Sequence, residues 1–216
     1  LPETHESAVE RSGTSIVASV FREHRKILLL GVLATASTAV ASQVGNYMVT
    51  YAVQVLKLPA AVAQGSVLMG GLMTFAFALV GGALCDRYGR RLVNAVPRLA
   101  LLVLIVPLFM WLAGTPSIGT LLVVTAILAA LTAMFGTAGL VQVPELLPIA
   151  VRSTGLSLVY AIGTSIFGGT TQFVVTWLLA VTKNPMAPAW YVVAMSAISI
   201  WAMWLLPESR DVDVQR

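Results

Sequence analysis

The chain has 216 residues, 58% of them hydrophobic and 10% charged, with a mean hydropathy of +0.88. That is too apolar for an ordinary soluble globular domain and indicates a polytopic all-α membrane protein. Its net charge of +4 does not mark a nucleic-acid surface, because the cations stand between apolar runs and share no basic face, and the single cysteine, Cys85, excludes an intrachain disulfide and a cysteine zinc site.

Residues 1–26 are polar, with Glu3, Glu6 and Glu10 and no apolar core, so no signal peptide is expected. Ile16, Val17, Val20 and Phe21 follow Ser12–Ser15 at helical spacing, which predicts a short amphipathic helix on the membrane surface. The chain begins at Leu1 and not at Met, so it is expected to be a fragment.

A hydrocarbon core of about 30 Å takes about 20 helical residues per crossing. Six stretches reach that length, 27–56, 60–84, 92–113, 118–141, 155–181 and 187–206, ahead of a tail at 207–216. The breaks between them are Lys57-Leu58-Pro59, Gly82 to Arg91, Gly114-Thr115-Pro116, Pro144 to Arg152 and Lys183-Asn184-Pro185. Each supplies Pro, Gly or charge, as an interfacial turn requires.

Alternate sides of this arrangement carry unequal charge. One side holds Arg11, Arg22, Arg25, Lys26, Arg87, Arg90, Arg91, Arg152, Arg210 and Arg216, and the other holds Lys57 and Lys183. The positive-inside rule then puts both termini in the cytoplasm. Arg98 is left within the third span, about six residues or ~9 Å from its cytoplasmic end, and is expected to snorkel to the headgroups.

None of the 9 acidic residues lies within a predicted span, so a proton relay is expected elsewhere. His5 and His24 fall in the polar amino-terminal segment and are expected to be surface residues. In the first span Gln43, Tyr47, Thr50 and Gln54 recur at helical spacing, flanked by Asn46 and Tyr51. Neutral amides and phenols in hydrocarbon must find partners, so this face is expected to line a wet cavity, with interhelical hydrogen bonding as the alternative. Ser153, Ser157, Tyr160, Thr164, Gly168 and Thr171 form a second stripe, equally consistent with a cavity wall or close helix contact. Thr125, Ala129, Thr132, Gly136 and Gly139 in the fourth span predict close packing. Glycine pairs in the second and fifth spans, with Pro97 and Pro107 in the third, predict helices that bend. No hydrolase, phosphate-loop or zincin motif occurs, and no catalytic residue, cofactor or metal is expected.

Gly82-Ala83-Leu84-Cys85-Asp86-Arg87-Tyr88-Gly89-Arg90-Arg91, between the second and third spans, resembles the signature turn of the major facilitator superfamily. Asn46 to Tyr51 ahead of Leu56-Lys57-Leu58-Pro59, Pro144-Glu145-Leu146-Leu147-Pro148 with Val151 to Ser157, and Ile166 to Thr171 narrow the likeness. Together they resemble the carboxy-terminal half of a metabolite:proton symporter, the group of the alpha-ketoglutarate, citrate and proline/betaine permeases. Leu1-Pro2-Glu3-Thr4 echoes Leu206-Pro207-Glu208-Ser209, as six-helix repeats would, and makes residues 1–26 a cytoplasmic central-loop segment.

The resemblance implies one six-helix half of a twelve-helix bacterial inner-membrane bundle, in contact with membrane lipid and a missing amino-terminal half. Its solute would be a small organic acid or zwitterionic osmolyte, moved with protons by alternating access. The first, second, fourth and fifth spans would surround the substrate and the third and sixth support them from outside. Candidate substrate-binding residues are then Gln43, Asn46, Tyr47, Thr50, Tyr51, Tyr160 and Thr164. Gly82, Asp86, Arg87, Gly89, Arg90 and Arg91 become a candidate conformational latch, in which Asp86 meets a helix dipole or an arginine. Ala161 and Gln172 stand where relatives often carry Asn and Pro, so the solute is left open. Rival expectations are a self-sufficient six-helix half that dimerises, and a transport-dead sensor or scaffold.

Overall fold

The structure, a computed structural model, describes residues 25–145 and 152–205. Within them lie six helices long and apolar enough to cross a membrane. They are α1 (Arg25–Gln54), α2 (Ala60–Tyr88), α3 (Arg90–Gly114), α4 (Ile118–Glu145), α5 (Arg152–Thr182) and α6 (Ala187–Leu205). Among the described residues there is no strand. Hydrocarbon offers the backbone no water, so each segment must satisfy its own N–H and C=O groups, and a helix does so. The segment at Ile16 to Phe21, both histidines, residues 146–151 of the predicted break from Pro144 to Arg152, and residues 206–216 lie outside the described residues.

The helix edges differ from the predicted ones most at the charged stretch. Asp86 and Arg87 belong to the last turn of α2, which runs on to Tyr88, and Gly89 alone separates it from α3. Gly89 has φ 85° and ψ 151°, a backbone region closed to residues with a side chain. Gly82 lies within α2, a Cβ there would meet nothing within 4 Å, and the reversal is made by Gly89. Two other irregularities matter. Gln64 interrupts α2 between Ala63 and Gly65, where the Ser66 hydroxyl donates to the Ala63 carbonyl at 2.6 Å. Gly163–Gly168 of α5 is π-helical, a form that usually occurs as a single turn at functional sites.

The core forms where α1, α3 and α4 meet, around Val44, Met48, Leu101, Phe109, Leu128 and Phe135. α6 packs on α1, and α2 packs chiefly on α4. The latter contact is backbone to backbone, since a Cβ on Gly81 would stand 3.0 Å from Met134 Cα. The rest of α2 is open, with Leu68, Leu72, Phe75 and Leu79 all more than 60% exposed. Exposed tryptophans stand towards both ends of the bundle, Trp111, Trp177 and Trp190 towards one and Trp201 and Trp204 towards the other. Two such belts suit rings seated at the two headgroup layers.

Arg98 does not snorkel. It is 1% exposed and belongs to the buried stripe of α3 that runs from Asn94 through Leu101, Ile105 and Phe109. A side chain on that face points at α1 and α6, away from lipid. Its guanidinium donates to the Ala34 carbonyl at 3.0 Å, to the Ser199 hydroxyl and to Thr38 Oγ1 at 3.4 Å, and lies 4.8 Å from the centre of the Phe135 ring. The Ser199 hydroxyl in turn donates to the same Ala34 carbonyl at 2.7 Å. Neutral acceptors and a π face thus surround a charge that hydrocarbon would otherwise penalise heavily.

Candidate functional site

Two adjoining cavities open on the bundle, one of about 180 Å³ and one of about 670 Å³. Thr38, Ser42, Gly136, Leu140 and Tyr160 line both, so they form one continuous recess. The larger part is a groove between α1, α2 and α4, with Asn46, Ser66, Thr74, Thr125, Thr132 and Thr137 on its walls. The smaller part runs in between α1, α4 and α5, past Gln43 and Thr164, to Asn94 and Met203. Polar side chains of α1, α2, α4 and α5 thereby meet at one recess.

The recess exists because small residues let its walls approach. A Cβ on Gly163 would stand 2.5 Å from Thr35 Oγ1, and one on Gly168 would touch Ala39 at 3.5 Å, so α5 lies close on α1 through its π-helical turn. Across from it, a Cβ on Gly136 would stand 3.2 Å from Thr38 Cγ2. The fourth-span stripe therefore does both things, packing closely and lining the groove.

The structure brings four of the predicted substrate residues to this recess. Asn46 Nδ2 donates to Gln43 Oε1 at 3.3 Å on the open side of α1. Tyr160 is 37% exposed at the junction of the two parts, and Thr164, one turn on, donates its hydroxyl to the Tyr160 carbonyl at 2.6 Å. The other three lie elsewhere. The Tyr47 hydroxyl meets that of Thr176 at 3.1 Å, in the contact between α1 and α5. Tyr51 is fully buried, donates its hydroxyl to the Pro185 carbonyl at 2.9 Å and packs edge-on against Phe109. Thr50 is half-buried and lines neither cavity.

Sequence reasoning missed Thr38, Ser42 and Asn94, and read Thr125 and Thr132 as packing alone. The signal was there for α1, because Thr38, Ser42 and Asn46 recur every four residues, on a face about 100° from the stripe of larger amides and phenols. The hydroxyl oxygens of Thr125 and Thr132 are buried with no protein partner. Such groups carry a desolvation cost and so await a hydrogen bond. The third and sixth spans also reach the recess, through Asn94 and Met203. The latch candidates are grouped at the α2–α3 turn, where Asp86, Arg87, Gly89 and Arg91 are exposed and Gly82 and Arg90 half-buried.

A family model described as sugar (and other) transporter matches residues 2–215. The chain is similar to an ectoine/proline transporter, ProP, of Corynebacterium glutamicum, 33% identical over 201 residues that make up 90% of this chain and 39% of that protein. It is similar also to a citrate-proton symporter of Salmonella typhi, 28% identical over 93% of this chain and 47% of the relative. A citrate-proton symporter of Klebsiella pneumoniae is 30% identical over 88% of this chain and 44% of the relative. The chain thus spans less than half the length of these relatives. No solved structure matches it significantly.

Proposed function

This chain belongs to the sugar (and other) transporter family of the major facilitator superfamily, and we propose that it is the carboxy-terminal six-helix half of a proton-coupled symporter for a small organic acid or zwitterionic osmolyte. The observation that carries the proposal is the recess itself. Hydroxyls and amides of α1, α2, α4 and α5 converge on it, although each of these helices is apolar enough to face lipid. Polar groups in such a setting line a solute path or bind one another, and here Gln43, Asn46 and Tyr160 line the open space, while the Thr125 and Thr132 hydroxyls are buried beside it with no protein partner.

In this mechanism Gln43, Asn46, Tyr160 and Thr164 offer neutral hydrogen bonds to the solute. Arg98 lies one layer behind, bonded to Ala34 and Thr38, which both line the inner part of the recess. A cation in a low-dielectric wall raises the potential of the adjacent cavity and favours a carboxylate there. An amino-terminal half would cover the open groove and the exposed face of α2, and rocking of the two halves would expose the solute to each side in turn. The turn at Gly89 would hold one of these states through Asp86, Arg87, Arg90 and Arg91. The charge bias of the loops would put that turn and both termini on the cytoplasmic side of a bacterial inner membrane. The mostly apolar inner walls, with no acid among the described side chains around Arg98, leave proton binding to the other half.

Uptake of labelled citrate, proline and ectoine by the full-length protein, with and without a protonophore, tests the proposal. Accumulation of one of them that the protonophore abolishes is expected, and it should weaken when Gln43 and Asn46 are both replaced by Ala. Uptake with unchanged apparent affinity in that variant would remove the solute from this recess.

A further inference from the structure

A threonine inside a helix commonly donates its hydroxyl back to the carbonyl four residues earlier, and Thr35, Thr137, Thr164, Thr171 and Thr176 all do so. Thr38 does not. The carbonyl it would use is that of Ala34, which already accepts from Arg98 Nη1 at 3.0 Å and from the Ser199 hydroxyl at 2.7 Å. A carbonyl oxygen has two lone pairs, and both are taken. Thr38 Oγ1 instead accepts from Arg98 Nη2 at 3.4 Å. A hydroxyl that accepts keeps its own hydrogen to give, and among the described residues the Thr38 hydrogen has no acceptor.

The surroundings of Thr38 turn that hydrogen to use. Its methyl packs on α4, where a Cβ on Gly136 would stand 3.2 Å from Thr38 Cγ2. With the methyl against α4 and the oxygen towards α3, the half-buried side chain lines both parts of the recess. Behind it, Arg98 is 1% exposed, its Nε has no hydrogen-bond partner, and its other bonds go to neutral oxygens. Among the described residues no carboxylate is bonded to it. A charge in a low-dielectric wall acts strongly on its neighbours, and a hydroxyl that accepts from a cation becomes a stronger donor.

We propose that Thr38 is the carboxylate-binding residue of the recess: its hydroxyl donates to one oxygen of the solute's carboxylate, with Arg98 supplying the charge behind it. The inference rests on the proposed symport through this recess and makes a carboxylate the group by which the solute is selected. An uncharged sugar or a carboxamide can take the hydrogen bond but gains nothing from the guanidinium. A carboxylate makes a charge-assisted bond and offsets the buried cation.

Protection from labelling reads solute binding at this position. In the full-length protein with Ser42→Cys as its only thiol, one turn from Thr38, at least one of citrate, proline and ectoine should slow labelling by a water-soluble thiosulfonate. The carboxamide of that solute should not do so at the same concentration, a comparison that needs no change at Thr38. Thr38→Val keeps the methyl and loses the hydroxyl, and should raise the half-protecting concentration at least about tenfold. Thr38→Ser keeps the hydroxyl and loses the methyl, and should change that concentration less than about threefold. Protection by none of the three carboxylates, equal protection by the carboxamide, or an unchanged concentration in Thr38→Val overturns the proposal. Uptake separates its failure from that of transport. Accumulation of a solute that does not protect Ser42→Cys leaves symport standing and removes the carboxylate from Thr38, whereas protection without accumulation leaves the site standing and removes symport.

Discussion

The two faces of α1 use similar residues to opposite ends. On one face Thr38, Ser42 and Asn46 open onto the recess. On the other, Ser37 meets Ser196 at 3.4 Å and Tyr47 meets Thr176 within helix contacts, and Tyr51 meets the Pro185 carbonyl in the turn between α5 and α6. Polarity within a span therefore does not identify a solute site. What distinguishes the two faces is burial: Ser37, Tyr47 and Tyr51 are buried with their partners on other parts of the chain, whereas Ser42 and Asn46 are exposed on the recess, where a solute can reach them.

The distinction can be broken by substitutions that act on one face only. Gln43→Ala with Asn46→Ala should lower apparent solute affinity at least about tenfold, or about 1.4 kcal/mol, and leave the melting temperature in mild detergent unchanged. A fall in both would place these residues in the packing. Tyr51→Phe should do the reverse, costing about 1–3 kcal/mol of stability by orphaning the Pro185 carbonyl, with no change in affinity. Thr176→Val, at a contact only partly buried, should cost about 0.5–1.5 kcal/mol and again leave affinity alone. The adjacent glycines of α2 give the smallest and sharpest contrast. Gly82→Ala meets open space and should be neutral or stabilising by up to about 1 kcal/mol through helix propensity, whereas Gly81→Ala presses on the Met134 backbone and should destabilise. Equal melting temperatures for these two variants would mean that α2 and α4 are not in backbone contact.

Six spans were legible in the sequence because their length and the punctuation at Pro59, Gly114 and Pro185 answer to the thickness of a bilayer. The predicted second and third spans stop short of the turn, because in the sequence the charges of Asp86, Arg87, Arg90 and Arg91 read as helix ends. A single Gly89 suffices for the reversal, and long charged side chains remain helical at a headgroup layer. Facing was less legible. In α3, Asn94 and Arg98 stand four residues apart and so share one face, but the sequence does not say that this polar face is the buried one. In α1 the larger polar groups drew the predicted stripe to Gln43, Tyr47 and Thr50, while the smaller hydroxyls of Thr38 and Ser42 mark the open face. In α5 a π-helical turn takes more residues than an α turn, so a stripe drawn at a constant period drifts. Its first members Ser153, Ser157 and Tyr160 are exposed and its last, Thr171, is fully buried.

Cysteine accessibility tests the division of α1 most directly, since Cys85 is the sole native cysteine and Cys85→Ser leaves a clean background. Ser42→Cys and Ser37→Cys each exchange one oxygen for sulfur, and a thiol reacts with a charged, membrane-impermeant thiosulfonate only where water lets it ionise. The open-face assignment predicts labelling of Ser42→Cys at least about tenfold faster than that of Ser37→Cys. Equal rates at the two positions would contradict it.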